Sequence, residues 1–237
     1  MSLILSNNMI TILTTIFFVL GLIIGSFLNV VILRLNTQKS FGGRSACMVC
    51  QNKLSWFELV PVLSFIVLRG RCRRCKTKIS FQYPLVELAT ATLFAALFVK
   101  FQDIFFLSNA VIFSLTYAYY AAMFSLLIII ATYDLKHKII PDSLSLVLGV
   151  LGFIGLFLFN GNIFPGFYVH IPSIWDFLAG PIIALPFAFF WLISKGAWMG
   201  LGDAKLALGL GWMLGLTMAL SGVVIAFWVG AVCGIIL

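Results

Sequence analysis

Cys47-Met-Val-Cys50 and Cys72-Arg-Arg-Cys75 form two CxxC pairs separated by 21 residues. Each pair lets two thiolates converge on one cation, and four together complete a tetrahedral Zn²⁺ shell at about 2.3 Å per bond. A closed shell leaves no position for water, so the expected metal is structural, clamping a basic loop too short to build its own core. The competing reading is a dithiol redox centre, which a cytosolic location disfavours. Cys233 stands in an apolar run and reads as a small packing residue.

Carboxylates offer the second chemistry. The chain has seven acids, and Asp134 and Asp203 sit where charge is expensive, at the ends of long uncharged runs. They are 69 residues apart in sequence but are expected at one membrane depth. Carboxylates about 3 Å apart cannot both ionise, so a pair shares one proton: the charged member takes a proton from water while the protonated one polarises a carbonyl. That is peptide hydrolysis without a metal or a covalent nucleophile. Gly200 and Gly202 flank Asp203 and let an extended substrate backbone approach closely. The plainer reading of such aspartates is a solvated flank, and Asp142 and Asp176 lie at similar boundaries. Composition alone does not prefer Asp134 over Asp142. Other protease chemistries lack their residues: there is no HExxH and no GxSxG, and His137 reads as an interfacial flank.

The rest of the sequence must hold these groups at a membrane. Of 237 residues, 62% are hydrophobic and 9% charged, against about 25% charged in a soluble domain, and the mean hydropathy is +1.15. A soluble fold, a disordered chain, a coiled coil and a single-anchor enzyme are excluded, because one span of about 20 residues cannot raise the average so far. Uncharged runs predict helical spans over 9–33, 108–132, 143–160 and 177–194, with 84–99 added despite Glu87. The run 206–237 is too long for one span and is expected to break at the glycines 209, 211 or 215, into 206–216 and 217–237. Continuous apolar runs exclude a barrel, so the fold class expected is an all-α, polytopic helical membrane protein with a zinc-binding cytoplasmic loop. Its parts are a first transmembrane helix (1–33), the Cys₄ loop (34–83) and a multi-helix membrane domain (84–237).

Charge sets the orientation. Ten of the fifteen Lys and Arg lie between Arg34 and Lys78, with Glu58 the single acid among them. With the amino terminus outside, fourteen of the fifteen face the cytosol and only Lys100 does not. The segment 160–175 then becomes an external loop. The first apolar run has no basic start and, at 25 residues, exceeds the roughly 7–15 of a signal peptide's apolar region, so it is expected to remain as a span. The basic surplus reads as a flank near anionic lipid, and no nucleic-acid partner is expected. The chain stops at Leu237 inside an apolar run, and a fragment of a longer protein is expected.

Read together, these residues resemble the bacterial type IV prepilin peptidase family, the GxGD aspartic leader peptidases and N-methyltransferases of pilus assembly and type II secretion. Gly25-Ser26-Phe27-Leu28-Asn29-Val30-Val31-Ile32 resembles the first-span signature, and Arg44-Ser45 with the four cysteines the zinc-binding loop. Trp56-Phe57-Glu58-Leu59-Val60-Pro61, Arg69-Gly70-Arg71-Cys72 and Tyr83-Pro84-Leu85-Val86-Glu87 follow in family order. Asp134, seven residues ahead of Pro141-Asp142, resembles the first catalytic aspartate, and Gly200-Leu201-Gly202-Asp203-Ala204-Lys205 the motif of the second. The resemblance selects Asp134 over Asp142. It implies an inner-membrane, multi-pass aspartic endopeptidase, its zinc loop and active site facing the cytoplasm, that cuts after the glycine ending a short basic leader of a prepilin or pseudopilin. It also implies methylation of the new amino terminus with S-adenosylmethionine. No residue is assigned to that cofactor, Glu58 being a candidate only by its place in a family motif, and Gly21-x-x-x-Gly25 reads as helix packing. The family's further loop and last span are absent from this sequence. The competing class is a non-catalytic zinc-loop membrane scaffold or assembly factor, which the retained aspartates and glycines disfavour.

Overall fold

A computed structural model describes residues 2–37, 42–160 and 164–236. Among them run seven α-helices: α1 (Ser2–Arg34), α2 (Leu63–Val67), α3 (Gln82–Leu107), α4 (Ala110–His137), α5 (Asp142–Leu158), α6 (Ile174–Ser194) and α7 (Leu201–Ile236). Five of them, α1, α3, α4, α6 and α7, are long and apolar enough to cross a membrane, since hydrocarbon obliges every backbone amide to pair within its own segment. The chain is a multi-pass helical membrane protein. By chain contacts it divides into two compact units, Met1–Asn109 with Tyr117–Thr132, and Ala110–Thr116 with Tyr133–Leu237.

In the first unit α1 packs along α3, and small residues set the approach. A Cβ on Gly21 would stand 2.6 Å from Ala91 Cα, and one on Gly25 2.8 Å from Glu87 Cα. Either would force the helices apart, which is how close small-residue crossings work in membranes. A polar group ties the end of this pair: Asn29, buried, donates from Nδ2 to Tyr83 O at 3.1 Å. Above the tie, the Phe17 ring stacks on Phe98 at 4.7 Å, and the Tyr117 hydroxyl donates to Phe94 O at 3.0 Å.

In the second unit the first half of α7 is lined with glycines where α5 and α6 press on it. A Cβ on Gly209 would meet Leu148 Cδ2 at 2.5 Å, and one on Gly211 would meet Ala179 O at 2.7 Å. Gly180 on α6 leaves room for the Trp212 indole, whose Nε1–H donates to Phe177 O at 3.0 Å. The expected break in the last apolar run falls at Gly215, whose φ of 74° and ψ of 167° interrupt the helix; only glycine adopts that backbone without strain. Gly209 and Gly211 serve packing instead, and α7 begins at Leu201 rather than at 206.

The expected span 143–160 is shorter in the structure. α5 ends at Leu158, and its 17 residues make about 25 Å of helix, less than the roughly 30 Å of a hydrocarbon core. Phe159–Asn160 (β1) instead pairs antiparallel with Phe164–Phe167 (β2). Phe167 N–H donates to Thr116 Oγ1 at 2.9 Å, which fixes this hairpin to the start of α4. Of the expected loop 160–175, residues 161–163 lie outside the described ones, as does the Cys233 side chain.

Candidate active site and metal centre

The loop between α1 and α3 builds the same knuckle twice. In the first, Cys47 N–H donates to Asn52 O and Gln51 N–H to Cys47 O, both at 3.0 Å, and an Ala46–Lys53 bridge closes the turn. In the second, Cys72 N–H donates to Thr77 O at 2.9 Å and Lys76 N–H to Cys72 O at 3.0 Å, closed by an Arg71–Lys78 bridge. The residue after each second cysteine, Gln51 or Lys76, takes a positive φ, 54° and 59°, and turns the chain back. The four sulfurs end within 4.8 Å of one another, with Cys47 Sγ and Cys75 Sγ 3.8 Å apart. A tetrahedron of thiolates with bonds of about 2.3 Å has edges of about 3.8 Å, so the donor set fits a metal ion of that kind.

The protons on these sulfurs are unevenly held. Hydrogen bonding from the Thr77 side chain, then from its backbone, pulls Cys75 down to about 6. Backbone N–H groups of Cys50 and Val49 lower Cys47. Cys50 rises to about 11: the Asn52 backbone pulls the other way, but lost hydration and the three neighbouring sulfurs outweigh it. Such a cluster sheds protons when a cation arrives, as metal-binding thiols do.

Asp134 lies in the last turn of α4 and Asp203 in the first turn of α7, both half-buried. Asp203 lies within electrostatic reach of the Asp134 charge, and its backbone N–H donates to Gly200 O at 3.3 Å. Gly202 is required by contact: a Cβ there would stand 2.8 Å from Ile140 Cβ, in the short connection that leaves Asp134 and leads to α5.

The other boundary acids are engaged elsewhere. Asp142 accepts from Lys205 Nζ at 2.6 Å. Asp176 caps α6, accepting from Ser173 N–H at 2.9 Å while its own N–H donates to Ser173 Oγ at 3.3 Å. Glu58 accepts from Ser55 N–H at 2.7 Å and closes the 3₁₀ turn Trp56–Leu59. His137 is exposed, its ring stacked on Tyr133 at 4.4 Å. Glu87 was not expected in any role beyond its motif; it is buried and accepts from Val62 N–H at 2.7 Å, tying the cysteine loop to α3. An acid inside an apolar run was the signal that could have found it.

A family model described as the type IV leader peptidase family matches residues 121–235, and one described as the bacterial peptidase A24 N-terminal domain matches residues 19–101. The chain is 36% identical to a prepilin leader peptidase/N-methyltransferase of Myxococcus xanthus (strain DK1622) over 93% of its own length and 62% of that relative's. It is 33% identical to the protein of the same name in Bacillus subtilis (strain 168), over 93% of its length and 81% of the relative's. The chain belongs to the type IV leader peptidase family. A third leader peptidase/N-methyltransferase, from Xanthomonas campestris pv. campestris, is 33% identical over 91% of the chain and 78% of the relative. No solved structure matches this leader peptidase family member. The peptidase family match contains both Asp134 and Asp203, and the N-terminal match contains all four loop cysteines.

Proposed function

We propose that the chain is a membrane aspartic endopeptidase that removes the leader peptide of a type IV prepilin or pseudopilin, cutting after the leader's terminal glycine. What supports this reading is that the Asp134 charge reaches Asp203 while Asp142 and Asp176 are held by Lys205 and Ser173. In the reaction one carboxylate accepts a proton from a water molecule as its oxygen attacks the scissile carbonyl. The other, protonated, donates its proton to the developing oxyanion; as the intermediate collapses, the first carboxylate passes the water-derived proton to the leaving amine and the second takes its own proton back from the hydroxyl. Gly200 keeps a side chain out of the substrate's approach, while Gly202 lets α7 begin against Ile140. The four cysteines hold one structural Zn²⁺, and both the loop and the aspartates face the cytoplasm from the bacterial inner membrane, in keeping with the fourteen basic residues assigned to that side. The relatives' names support a second step, methylation of the new amino terminus; S-adenosylmethionine would supply the methyl group, and no residue of this chain is assigned to it.

The test is the mass of the product formed when membranes carrying the chain meet a prepilin-type substrate. Expected is a product shortened by the leader, and one methyl group heavier when S-adenosylmethionine is added. Uncut substrate beside zinc-loaded protein contradicts the peptidase reading, and a cut but never methylated product contradicts only the second step.

A further inference from the structure

The short helix α2 lies outside the membrane-spanning helices, yet its outer face is apolar. Leu63, Ile66 and Val67 fall at i, i+3 and i+4, one side of a helix, and are 61%, 63% and 78% exposed. Trp56 and Phe81, on either side of α2 in sequence, are also exposed. The opposite side of α2 is occupied: the Phe65 ring lies edge-on to Phe81 at 5.9 Å and under Gly70.

Two further observations say what covers the outer face. Val62, immediately before α2, takes the positive φ of 59° that a β-branched residue rarely adopts, and donates its N–H to the Glu87 carboxylate. Glu87 is five residues past Gln82, the first residue of a membrane-spanning helix, which is about 7.5 Å along its axis. The start of α2 is thereby tethered beside the end of a span, where the bilayer surface lies. Directly after α2 come Arg69, Arg71, Arg73, Arg74, Lys76 and Lys78, all exposed and with no acid among them. An apolar helix face followed by a cationic cluster is the pattern of a segment lying in a bilayer interface whose headgroups are anionic.

We propose that α2 is an in-plane anchor: Leu63, Ile66 and Val67 enter the headgroup and acyl boundary of the chain's own membrane, and the cations from Arg69 to Lys78 sit on anionic phospholipid headgroups. A second copy of the chain would bring the same positive cluster against this one, and a basic leader would meet like charge. Anionic lipid is the occupant whose charge is complementary.

A polarity-sensitive fluorophore on Val67→Cys, in a Cys233→Ala background with the zinc site loaded, tests this in lipid nanodiscs. In discs containing phosphatidylglycerol the emission shifts to the blue and brominated acyl chains quench it. In discs of phosphatidylcholine alone, or in high salt, quenching falls by about twofold as the electrostatic part is lost. Leu63→Cys gives the same pattern and serves if Val67→Cys fails to retain zinc. Water-like emission from both positions in both lipids overturns the proposal, as does a blue shift seen only with two copies per disc or only with substrate present.

Discussion

Asp134→Asn and Asp203→Asn are each expected to abolish leader cleavage, and the double substitution to be no worse than either alone. A single carboxylate cannot deprotonate water and protonate the oxyanion at the same moment. General acid or base catalysis contributes typically about 10²–10⁴-fold per group, and groups that act as a unit lose the whole contribution with the first member removed. Asp176→Asn weakens the capping box of α6 while leaving its N-cap Ser173 in place, and Asp142→Asn frees Lys205 from an exposed pair (42% and 75% exposed side chains) worth about 0.2–1 kcal/mol. Neither touches the proposed pair, so both proteins are expected to cut. The assay is cleavage of a prepilin-type substrate in membranes, with zinc content measured alongside to separate lost chemistry from misfolding. Loss of activity on Asp142→Asn with Asp134→Asn still active would name the wrong partner.

If the cluster holds the proposed zinc, Cys72→Ser is expected to take it from one ion per chain to none, because Cys72 is the buried cysteine of the four and a shell of three thiolates cannot close around the ion. Structural zinc contributes an apparent binding energy of roughly 10–16 kcal/mol in isolated fingers, so the loop loses its main support. Cleavage should fall with it through the loop's instability, not through lost chemistry. Acid should do the same. Cys75, held down to about 6, is largely ionised at neutral pH, and Cys47 is lowered in the same direction; such groups support the site above their pKa and lose that support as pH falls through it. Metal analysis after dialysis across this range checks both: full retention in the Cys72→Ser protein, or zinc lost on raising pH from neutral, contradicts the four-thiolate site.

The elements that hold these sites were legible to different depths. Long uncharged runs foretold the membrane helices because hydrocarbon leaves the backbone no other partner, and the Gly21-x-x-x-Gly25 step foretold a close helix contact on α1 but not that α3 makes it. The length of α5 was not legible, since an apolar run cannot say where a helix stops when Phe159 and Asn160 find a strand partner in Phe164–Phe167. The break in α7 was confined to three glycines; choosing Gly215 required knowing that Gly209 and Gly211 are used against α5 and α6. Both CxxC pairs were readable from spacing, whereas the matching hydrogen bonds of the two knuckles belong to the fold. Among the boundary aspartates, Ser173-x-x-Asp176 carries a capping signal in its sequence. Asp142 does not announce its partner, which lies 63 residues away at Lys205. The tether from Val62 to Glu87 likewise joins residues 25 apart, and no local pattern predicts it.

The central claim, that Asp134 and Asp203 work as one proton-sharing pair, is tested most directly by the pH dependence of kcat/KM for leader cleavage by the wild-type protein with its zinc retained throughout. A pair in which one member must be charged and the other protonated predicts a bell: the rate falls on the acid side when both carboxylates bind protons and on the alkaline side when neither does. A rate that climbs steadily with pH and levels off, as for a single base, would contradict it.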